Sequence, residues 1–282
     1  MKVLVTGYTG QLGYDVVKEL QKRNIECIGT TRKDFSLTDT EKMKSFIENY
    51  NPDAVIHCAA YTAVDKAEDE QALCRAVNVE ATREIAKICK DIDAKMIYIS
   101  TDYVFPGDGD SFYEPEDEKA PQNVYGQTKL DGEKAVQEIL DKYFIVRISW
   151  VFGMNGKNFI RTMLNLAKTH DKLTVVNDQI GSPTYTVDLA KLLCDVVQTD
   201  KYGVYHATNE GICSWYEFAC EIFKQKGVNV QIEPVPSTAF PTKAKRPHNS
   251  RMSKKCLDKA GFNRLSSWQD ALNRYLKELS LI

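Results

Sequence analysis

The residues best suited to chemistry in this sequence are Tyr125 and Lys129, in the run Val124-Tyr-Gly-Gln-Thr-Lys129. On a helix, residues at this spacing share one face, so the lysine ammonium can lie beside the tyrosine phenol. A free tyrosine titrates near pH ~10 and holds its proton too firmly for acid/base work at neutral pH. A neighbouring cation favours the phenolate and lowers that pKa. The spacing alone also occurs in surface pairs, so its meaning depends on the neighbouring motifs.

A glycine-rich turn near the start of the sequence gives the pair a context. The apolar run Lys2-Val-Leu-Val-Thr6 predicts a buried parallel strand and leads into Gly7-Tyr-Thr-Gly10-Gln-Leu-Gly13, which a helical pattern follows. In such a unit the first glycine allows the bend, the second admits a pyrophosphate, and the third lets the helix pack on the strand. The spacing differs from the Gly-x-Gly-x-x-Gly fingerprint, and a loop shaped only for packing is the alternative. We predict a dinucleotide-binding turn.

Composition and charge limit the classes of protein to consider. A chain of 282 residues with a net charge of -2 argues against nucleic acid or an anionic membrane as the main partner. Neither a membrane-spanning apolar stretch nor a signal peptide is recognisable. The eight cysteines and four histidines are scattered, which suggests neither a zinc site nor a disulfide framework. These features predict a cytoplasmic enzyme without a metal site.

Strand and helix patterns alternate along the first half of the sequence. After the first strand, further strands are predicted at 25–29, 54–58, 95–100 and 144–148, and helices at 40–50 and about 70–90. Alternating units of this kind require right-handed crossovers and form a parallel, doubly wound sheet.

The pattern becomes less regular after Trp150. Helices are predicted at 159–168, 187–197 and 214–226, strands at 174–176 and 203–206, and two short helices after a long, basic, proline-bearing loop. The predicted fold class is therefore α/β, a Rossmann-like doubly wound parallel sheet with a smaller, mainly helical C-terminal substrate-binding domain. Residues 1–150 would form the NAD(P)-binding domain, and residues 151–282 a substrate-binding cap with interleaved late sheet strands.

The ends of the predicted strands carry the candidate site residues, because doubly wound sheets bind ligands beyond the carboxyl ends of their strands. The third strand ends at His57-Cys-Ala-Ala-Tyr-Thr62, where small residues would let a nicotinamide ribose lie against the backbone. The fourth ends at Ser100-Thr-Asp102, where a hydroxyl could meet a substrate carbonyl near Tyr125. The fifth ends at Ser149-Trp150. A hydroxyl, a phenol and an ammonium at one point are what carbonyl reduction requires.

With these motifs the chain resembles the extended short-chain dehydrogenase/reductase superfamily, and within it the dTDP-4-dehydrorhamnose reductase family. The resemblance covers nearly the whole chain. Besides the glycine turn, it rests on the segments Ala59-Ala-Tyr-Thr-Ala-Val-Asp-Lys-Ala-Glu68, Ser100-Thr-Asp-Tyr-Val-Phe-Pro-Gly107, Asn123-Val-Tyr-Gly-Gln-Thr-Lys-Leu130, Arg147-Ile-Ser-Trp-Val151, Asn177-Asp-Gln-Ile-Gly-Ser-Pro-Thr184 and Arg246-Pro-His-Asn-Ser-Arg251.

The resemblance implies NAD(P)H-dependent reduction of the 4-keto group of a nucleotide sugar, namely dTDP-4-dehydro-L-rhamnose to dTDP-L-rhamnose. The predicted catalytic residues are Tyr125 as proton donor, Lys129 as its partner and Thr101. The predicted NADPH or NADH site comprises Gly7, Gly10, Gln11, Leu12, Arg32, Asp34, Phe35, Ala59, Ala60, Tyr61, Thr62, Tyr125 and Lys129. The predicted substrate contacts are Thr101, Asp102, Tyr125, Trp150 and Arg246. The expected partner is the dTDP-sugar, with no nucleic acid, no membrane, and a homodimer as one option.

Two other functions remain open at this point. A nucleotide-sugar epimerase or dehydratase can use the same scaffold, although a dehydratase would usually have a glutamate after Asp102, where this chain has Tyr103. A non-catalytic module resembling the regulatory subunit of methionine adenosyltransferase would also share the fold.

Several of these residues also have a plainer interpretation. Asp65, Lys66 and Glu68 form either a solvated first helical turn or part of the substrate loop, and Trp150 belongs either to the core or to the pocket. The guanidiniums at 246 and 251 are either solvated or placed for bidentate recognition of a diphosphate.

The second strand bears on the choice of cofactor. It ends in Thr30-Thr-Arg-Lys33, where an enzyme selective for NADH normally places a carboxylate that binds the ribose 2′-hydroxyl. A guanidinium at Arg32 would instead attract a 2′-phosphate. We therefore predict that NADPH is used at least as well as NADH, unless Asp34 folds back over the ribose.

Overall fold

A computed structural model describes residues 1–281, and parallel strands form its centre. The strands are β1 Lys2–Thr6, β2 Glu26–Thr30, β3 Ala54–His57, β4 Lys95–Thr101, β5 Tyr143–Ile148, β6 Val151–Phe152, β7 Lys172–Val176, β8 Ile180–Gly181, β9 Thr184–Tyr185, β10 Gly203–His206, β11 Cys213–Ser214 and β12 Gln231–Val235. Six of them form a sheet in the order β10-β5-β4-β3-β1-β2, in which every neighbouring pair is parallel. The chain adds β2 on one side of β1 and β3 on the other, so the direction of strand addition reverses at β1. The carboxyl ends of β1 and β3 therefore lie side by side.

Helices cover both faces of this sheet. They are α1 Gln11–Lys22, α2 Thr40–Tyr50, α3 Val64–Ala67, α4 Gln71–Arg75, α5 Ala81–Asp91, α6 Val124–Ile139, α7 Phe159–Leu166, α8 Thr186–Val196, α9 Trp215–Lys226, α10 Lys255–Ala260 and α11 Trp268–Leu279. Apolar residues of α1 and α8 form one core with the sheet, and those of α2, α5 and α6 form another. The predicted doubly wound α/β fold is confirmed.

A second structural region lies in the later part of the chain. The short pairs β7–β12, β6–β9 and β8–β11 combine with α7, α9 and α11 around a separate apolar cluster that includes Phe152, Phe218 and Tyr275. Other elements from the later part of the chain pack on the central sheet, namely α8, β10 and Leu257 of α10. Of the late strands expected in the sheet, β10 joins it, whereas β7 pairs with β12 outside it. The division at residue 150 remains a prediction.

Most predicted elements lie within a few residues of the observed ones, and α2 has the predicted bounds. The helix predicted at 70–90 differs, because a π-helical turn at Ala76–Glu80 joins α4 to α5. The extra residue in this turn lets the buried Asn78 bind the backbone of Tyr61 and the hydroxyl of Thr128. Among residues 1–281, no helix has the length and apolar character to cross a membrane.

Candidate active site

The glycine turn after β1 has the tight geometry that its sequence predicted. Gly7 has φ of 74°, and a Cβ there would lie 2.9 Å from the backbone of Ala59. A Cβ on Gly13 would lie 2.4 Å from the Gly7 carbonyl oxygen, so only glycine lets α1 pack this closely. Larger residues would therefore push α1 and the segment after β3 away from the turn.

The N-terminus of α1 is suited to an anionic group. Gly10 precedes the helix and, within residues 1–281, no side chain caps its first N–H groups. These donors and the positive end of the helix dipole face a cavity of about 1070 Å³ at the β1–β3 switch point. The turn and the cavity fit the pyrophosphate of a dinucleotide.

Most predicted site residues lie on this one cavity. Its lining includes Gly7, Gly10, Gln11, Leu12, Arg32, Phe35, Ala59, Ala60, Tyr61, Thr62, Thr101, Asp102, Tyr125, Lys129 and Trp150. The cavity thus joins the dinucleotide turn to the hydroxyl, phenol and ammonium at the ends of β4 and α6. Asp34 and Arg246 lie outside the lining.

Asp34 is turned towards its own loop. Its carboxylate accepts hydrogen bonds from the Thr31 backbone N–H at 2.7 Å and from the Thr31 hydroxyl at 2.9 Å. It therefore stabilises the turn after β2 instead of facing the cavity, while Arg32 is exposed on the cavity wall. This arrangement leaves the guanidinium, and not the carboxylate, at the expected position of the adenosine ribose.

Arg246 connects the basic loop to α3 and, through Tyr103, to helix α6. Its guanidinium donates to the Asp65 carboxylate at 2.5 Å and to the Tyr103 hydroxyl at 3.2 Å. The Tyr103 ring meets that of Tyr125 edge to face at 5.5 Å. Glu68 accepts from the N–H of Val124 at the start of α6 at 2.9 Å. The acidic residues around α3 therefore shape the substrate side of the site, which favours that interpretation over a solvated turn.

Tyr125 is half-buried and keeps its proton in this environment. Desolvation raises its pKa above the usual value, and the neighbouring Thr101 hydroxyl only partly offsets this effect. The sequence analysis expected Lys129 to lower the pKa of Tyr125. The pKa is raised instead, because burial outweighs any stabilisation of the phenolate. The Thr101 hydroxyl donates to Asp102 at 2.9 Å. Burial raises the pKa of Asp102 to about 6, although Ser250 donates to it.

Lys129 is buried beneath the cavity floor. Its ammonium lies 4.0 Å from the centre of the Tyr98 ring, and desolvation lowers its pKa to about 7, against the opposing effect of Glu133. Burial, helped by the charge of Lys129, lowers the pKa of His57 to about 3, so that imidazole is neutral. Lys129 therefore changes its charge near neutral pH.

Comparison with known proteins identifies the family. The model of the RmlD substrate binding domain matches residues 1–281. The dTDP-4-dehydrorhamnose reductase of Escherichia coli strain K12 is 38% identical over 293 residues, covering 99% of this chain and 98% of that protein. The chain belongs to the dTDP-4-dehydrorhamnose reductase family. The predicted resemblance is confirmed.

Solved structures of dTDP-4-dehydrorhamnose reductases have the same architecture over their whole length. The one from Clostridium acetobutylicum superposes with a TM-score of 0.97 at 41% identity, covering 99% of this chain and 100% of that chain. The one from Bacillus anthracis, solved in complex with NADP, gives a TM-score of 0.96 at 40% identity with the same coverage.

In this member of the dTDP-4-dehydrorhamnose reductase family, a buried ion pair joins helix α6 to strand β5. Arg147 of β5 and Glu133 of α6 are each 2% exposed and approach to 2.7 Å. The Ser100 hydroxyl donates to the same carboxylate, and Arg147 also donates to the Pro115 carbonyl at 2.9 Å. The pair fixes α6 against the strands whose ends carry Thr101 and Trp150.

The sequence analysis did not identify two groups of residues at the site of this reductase-family protein. Asn78 fixes the cofactor loop at Tyr61 through the π-helical turn, which no short sequence pattern reveals. The loop after β6 crosses the dinucleotide turn, where Asn155 donates to the Thr9 carbonyl at 3.1 Å. Gln11 accepts from the N–H of Gly153 at 2.9 Å and from the Asn158 amide at 3.1 Å. The glycine at each end of Gly153-Met-Asn-Gly156 is the one sequence signal for such a loop.

We expect the affinity of the free protein for NADH to weaken as pH rises through about 7. Above its lowered pKa the Lys129 ammonium loses its proton, and an uncharged amine binds ribose hydroxyls less strongly. The dissociation constant should be measured by fluorescence titration from about pH 6 to about pH 9, with NADH because it lacks a titrating 2′-phosphate.

Two variants make this pH test specific. Lys129→Met should bind NADH weakly and without a midpoint near 7, whereas Asp102→Asn should keep that midpoint, because it leaves the Lys129 ammonium in place. The same pH dependence in wild type and Lys129→Met would rule out Lys129 as the titrating group.

Proposed function

We propose that this protein reduces the 4-keto group of dTDP-4-dehydro-L-rhamnose to give dTDP-L-rhamnose, with NADPH or NADH as cofactor. The protein is an NAD(P)H-dependent oxidoreductase of the family identified above. The observation that carries the proposal is the full-length match to dTDP-4-dehydrorhamnose reductases, at 38% identity for the protein from Escherichia coli strain K12. The shared cavity supports it, because the dinucleotide turn and Tyr125 both line that cavity.

The chemistry that we assign to each residue follows from its surroundings. A nicotinamide cofactor bound at the glycine turn supplies the hydride. Tyr125 donates its proton to the 4-keto oxygen, and its raised pKa keeps that proton available at neutral pH. Thr101, whose hydroxyl can turn from Asp102 towards the substrate, polarises the same oxygen. Lys129 lies one turn after Tyr125 on α6, and in its charged form it binds the cofactor ribose and favours the phenolate that is left.

The remaining partners and the location are also proposals. We propose that the dTDP-sugar is the physiological substrate, that the protein acts in the cytoplasm and that a homodimer is one option for its assembly. All eight cysteines are free thiols, which is in keeping with a reducing compartment. Asp102 and Trp150 on the cavity, with Arg246 at the loop beside it, are the proposed sugar and diphosphate contacts.

A coupled assay tests the proposed reaction. The wild-type protein should oxidise NADPH or NADH when given enzymatically prepared dTDP-4-dehydro-L-rhamnose, and chromatography should identify dTDP-L-rhamnose as the product. Release of a dehydrated or epimerised dTDP-sugar without consumption of reduced cofactor would favour the epimerase or dehydratase alternative. Binding of cofactor without turnover of any dTDP-4-keto sugar would favour a non-catalytic module.

We expect NADPH to be used at least as well as NADH, with Arg32 responsible for recognition of the 2′-phosphate. A charge-assisted hydrogen bond contributes about 1.5–3 kcal/mol, so Arg32→Ala should lower kcat/KM for NADPH by about 10- to 100-fold and leave NADH nearly unchanged. Steady-state kinetics with both cofactors measure this effect, and Lys33→Ala, an exposed cation at the next position, is the matched control. A strong wild-type preference for NADH that survives Arg32→Ala would contradict the assignment.

A further inference from the structure

Trp150 adopts an unusual backbone conformation just after strand β5 of the central sheet. Its φ of 49° lies in the left-handed region, which a bulky residue adopts only when its surroundings impose it. Its carbonyl accepts from the N–H of Thr184 at 3.2 Å, which fixes the peptide unit. The indole lines the large cavity, close to the end of β4, because Thr101 pairs with Ile148 just before it.

Two neighbours hold the Trp150 indole in place. Trp215, the first residue of α9, stacks on it with the ring centres 3.7 Å apart and the planes at 17°. Gly181 lies close to the same indole, since an added Cβ would come within 2.9 Å of a ring carbon. The Trp150 side chain therefore has little freedom to leave the cavity wall.

The segment that carries Trp215 is itself fixed. Ser214 caps α9 through a reciprocal capping box with Glu217, and its hydroxyl also donates to the Asn177 side chain at 2.8 Å. The ring of Phe159 lies 4.7 Å from that of Trp215. Trp215 is therefore part of a rigid support and is not a mobile surface residue.

We propose that Trp215 is a positioning residue for the sugar ring of the substrate, and that it acts through Trp150. The inference rests on the proposed function. A flat, fixed indole offers an apolar face to the C–H face and the methyl group of a deoxysugar. Because Trp150, Thr101 and Tyr125 line one cavity, the angle of that indole sets the approach of the sugar carbonyl to the phenol. Trp215 fixes the angle from α9, so residues outside the central sheet contribute to substrate orientation.

Circular dichroism can detect the stack itself. Two stacked indoles couple their transitions and give a paired positive and negative band, and the chain has three tryptophans. Trp150→Phe and Trp215→Phe should each abolish the paired band. Trp268→Phe should retain it, because Trp268 packs on Phe218 at 5.6 Å and not on either partner. A paired band that survives Trp215→Phe would show that the stack does not form.

Binding separates the positioning role from a purely structural one. We expect Trp215→Ala to weaken binding of dTDP-L-rhamnose by about tenfold, the scale of a lost aromatic contact, while the Kd values of dTDP and NADPH stay unchanged. Trp215→Phe should recover most of the affinity. Isothermal titration calorimetry measures all three ligands.

These measurements distinguish failure of the inference from failure of the proposed function. Suppose that wild type turns over the keto sugar, and that the Kd values of dTDP-L-rhamnose and dTDP have the same ratio in Trp215→Ala as in wild type. The positioning role is then wrong and the reductase function stands. If wild type is inactive but Trp215→Ala selectively loses dTDP-L-rhamnose, the positioning role stands and the reaction is wrong. Equal losses for all three ligands would show a general structural defect and overturn the inference.

Discussion

Replacing Tyr125 with phenylalanine should lower kcat by about 10²–10⁴, the usual contribution of one positioned acid. The substitution keeps the ring, and with it the edge-to-face contact with Tyr103 at 5.5 Å. It removes the hydroxyl, which is the only group of this side chain that can donate a proton to the substrate. Steady-state turnover of dTDP-4-dehydro-L-rhamnose measures the loss. The Kd of NADPH should remain close to that of wild type, because the pyrophosphate and ribose contacts are intact.

Tyr61→Phe is a matched control for this experiment. Its phenol also lies on the cavity, but it donates to Glu70 at 2.6 Å at the exposed mouth, away from Thr101. We expect its loss of turnover to be less than about tenfold, the scale of one ordinary hydrogen bond. A Tyr125→Phe variant that keeps more than about a tenth of wild-type turnover would show that another group donates the proton.

Arg147→Met should destabilise the protein by about 3–5 kcal/mol, the cost of leaving a buried charge without its partner. The Glu133 carboxylate is 2% exposed and would lose the guanidinium that now lies 2.7 Å away. The free energy of unfolding should be measured with urea. Arg83→Met is the control, because Arg83 meets the 60% exposed Glu138 and such surface pairs contribute about 0–1 kcal/mol.

A double variant tests the cause of that loss. Arg147→Met with Glu133→Leu removes both charges, so it should recover much of the stability if the unpaired carboxylate is responsible. Recovery should be incomplete, because Ser100 and the Pro115 carbonyl also lose their partners. A single Arg147→Met variant no less stable than Arg83→Met would mean that water or a proton readily replaces the guanidinium.

The elements of this fold were predictable from sequence where the signal is local. The β-branched run before Gly7 and the amphipathic pattern of α2 depend on neighbouring residues only, and both elements lie where the patterns placed them. The glycine turn was predictable for the same reason, since its conformation depends on residues within the motif. The alternation of strands and helices then limited the sheet to a parallel, doubly wound form.

The details of the site that the sequence could not reveal depend on contacts between distant residues. Arg246 pairs with Asp65, far away in the sequence, and so lies outside the cavity lining. The direction of the Tyr125 pKa depends on burial, which tertiary packing decides and the spacing to Lys129 cannot reveal. The placement of Asn78 needed a π-helical turn, whose amphipathic pattern resembles that of an ordinary helix.

The chain returns from the second region to the central sheet. Because of this path, some segments can change in evolution more freely than others. The segments from β6 to β9 and from β11 to β12 are each bounded by elements that the sheet core requires, including α8 and β10. Both segments are therefore insertions anchored at two ends. We therefore expect substitutions, and even changes in length, within them to leave the fold of the central sheet intact. Cutting the chain at residue 150 would instead remove β10 from the edge of β5 and α8 from the face of α1, so we expect the two regions to unfold together.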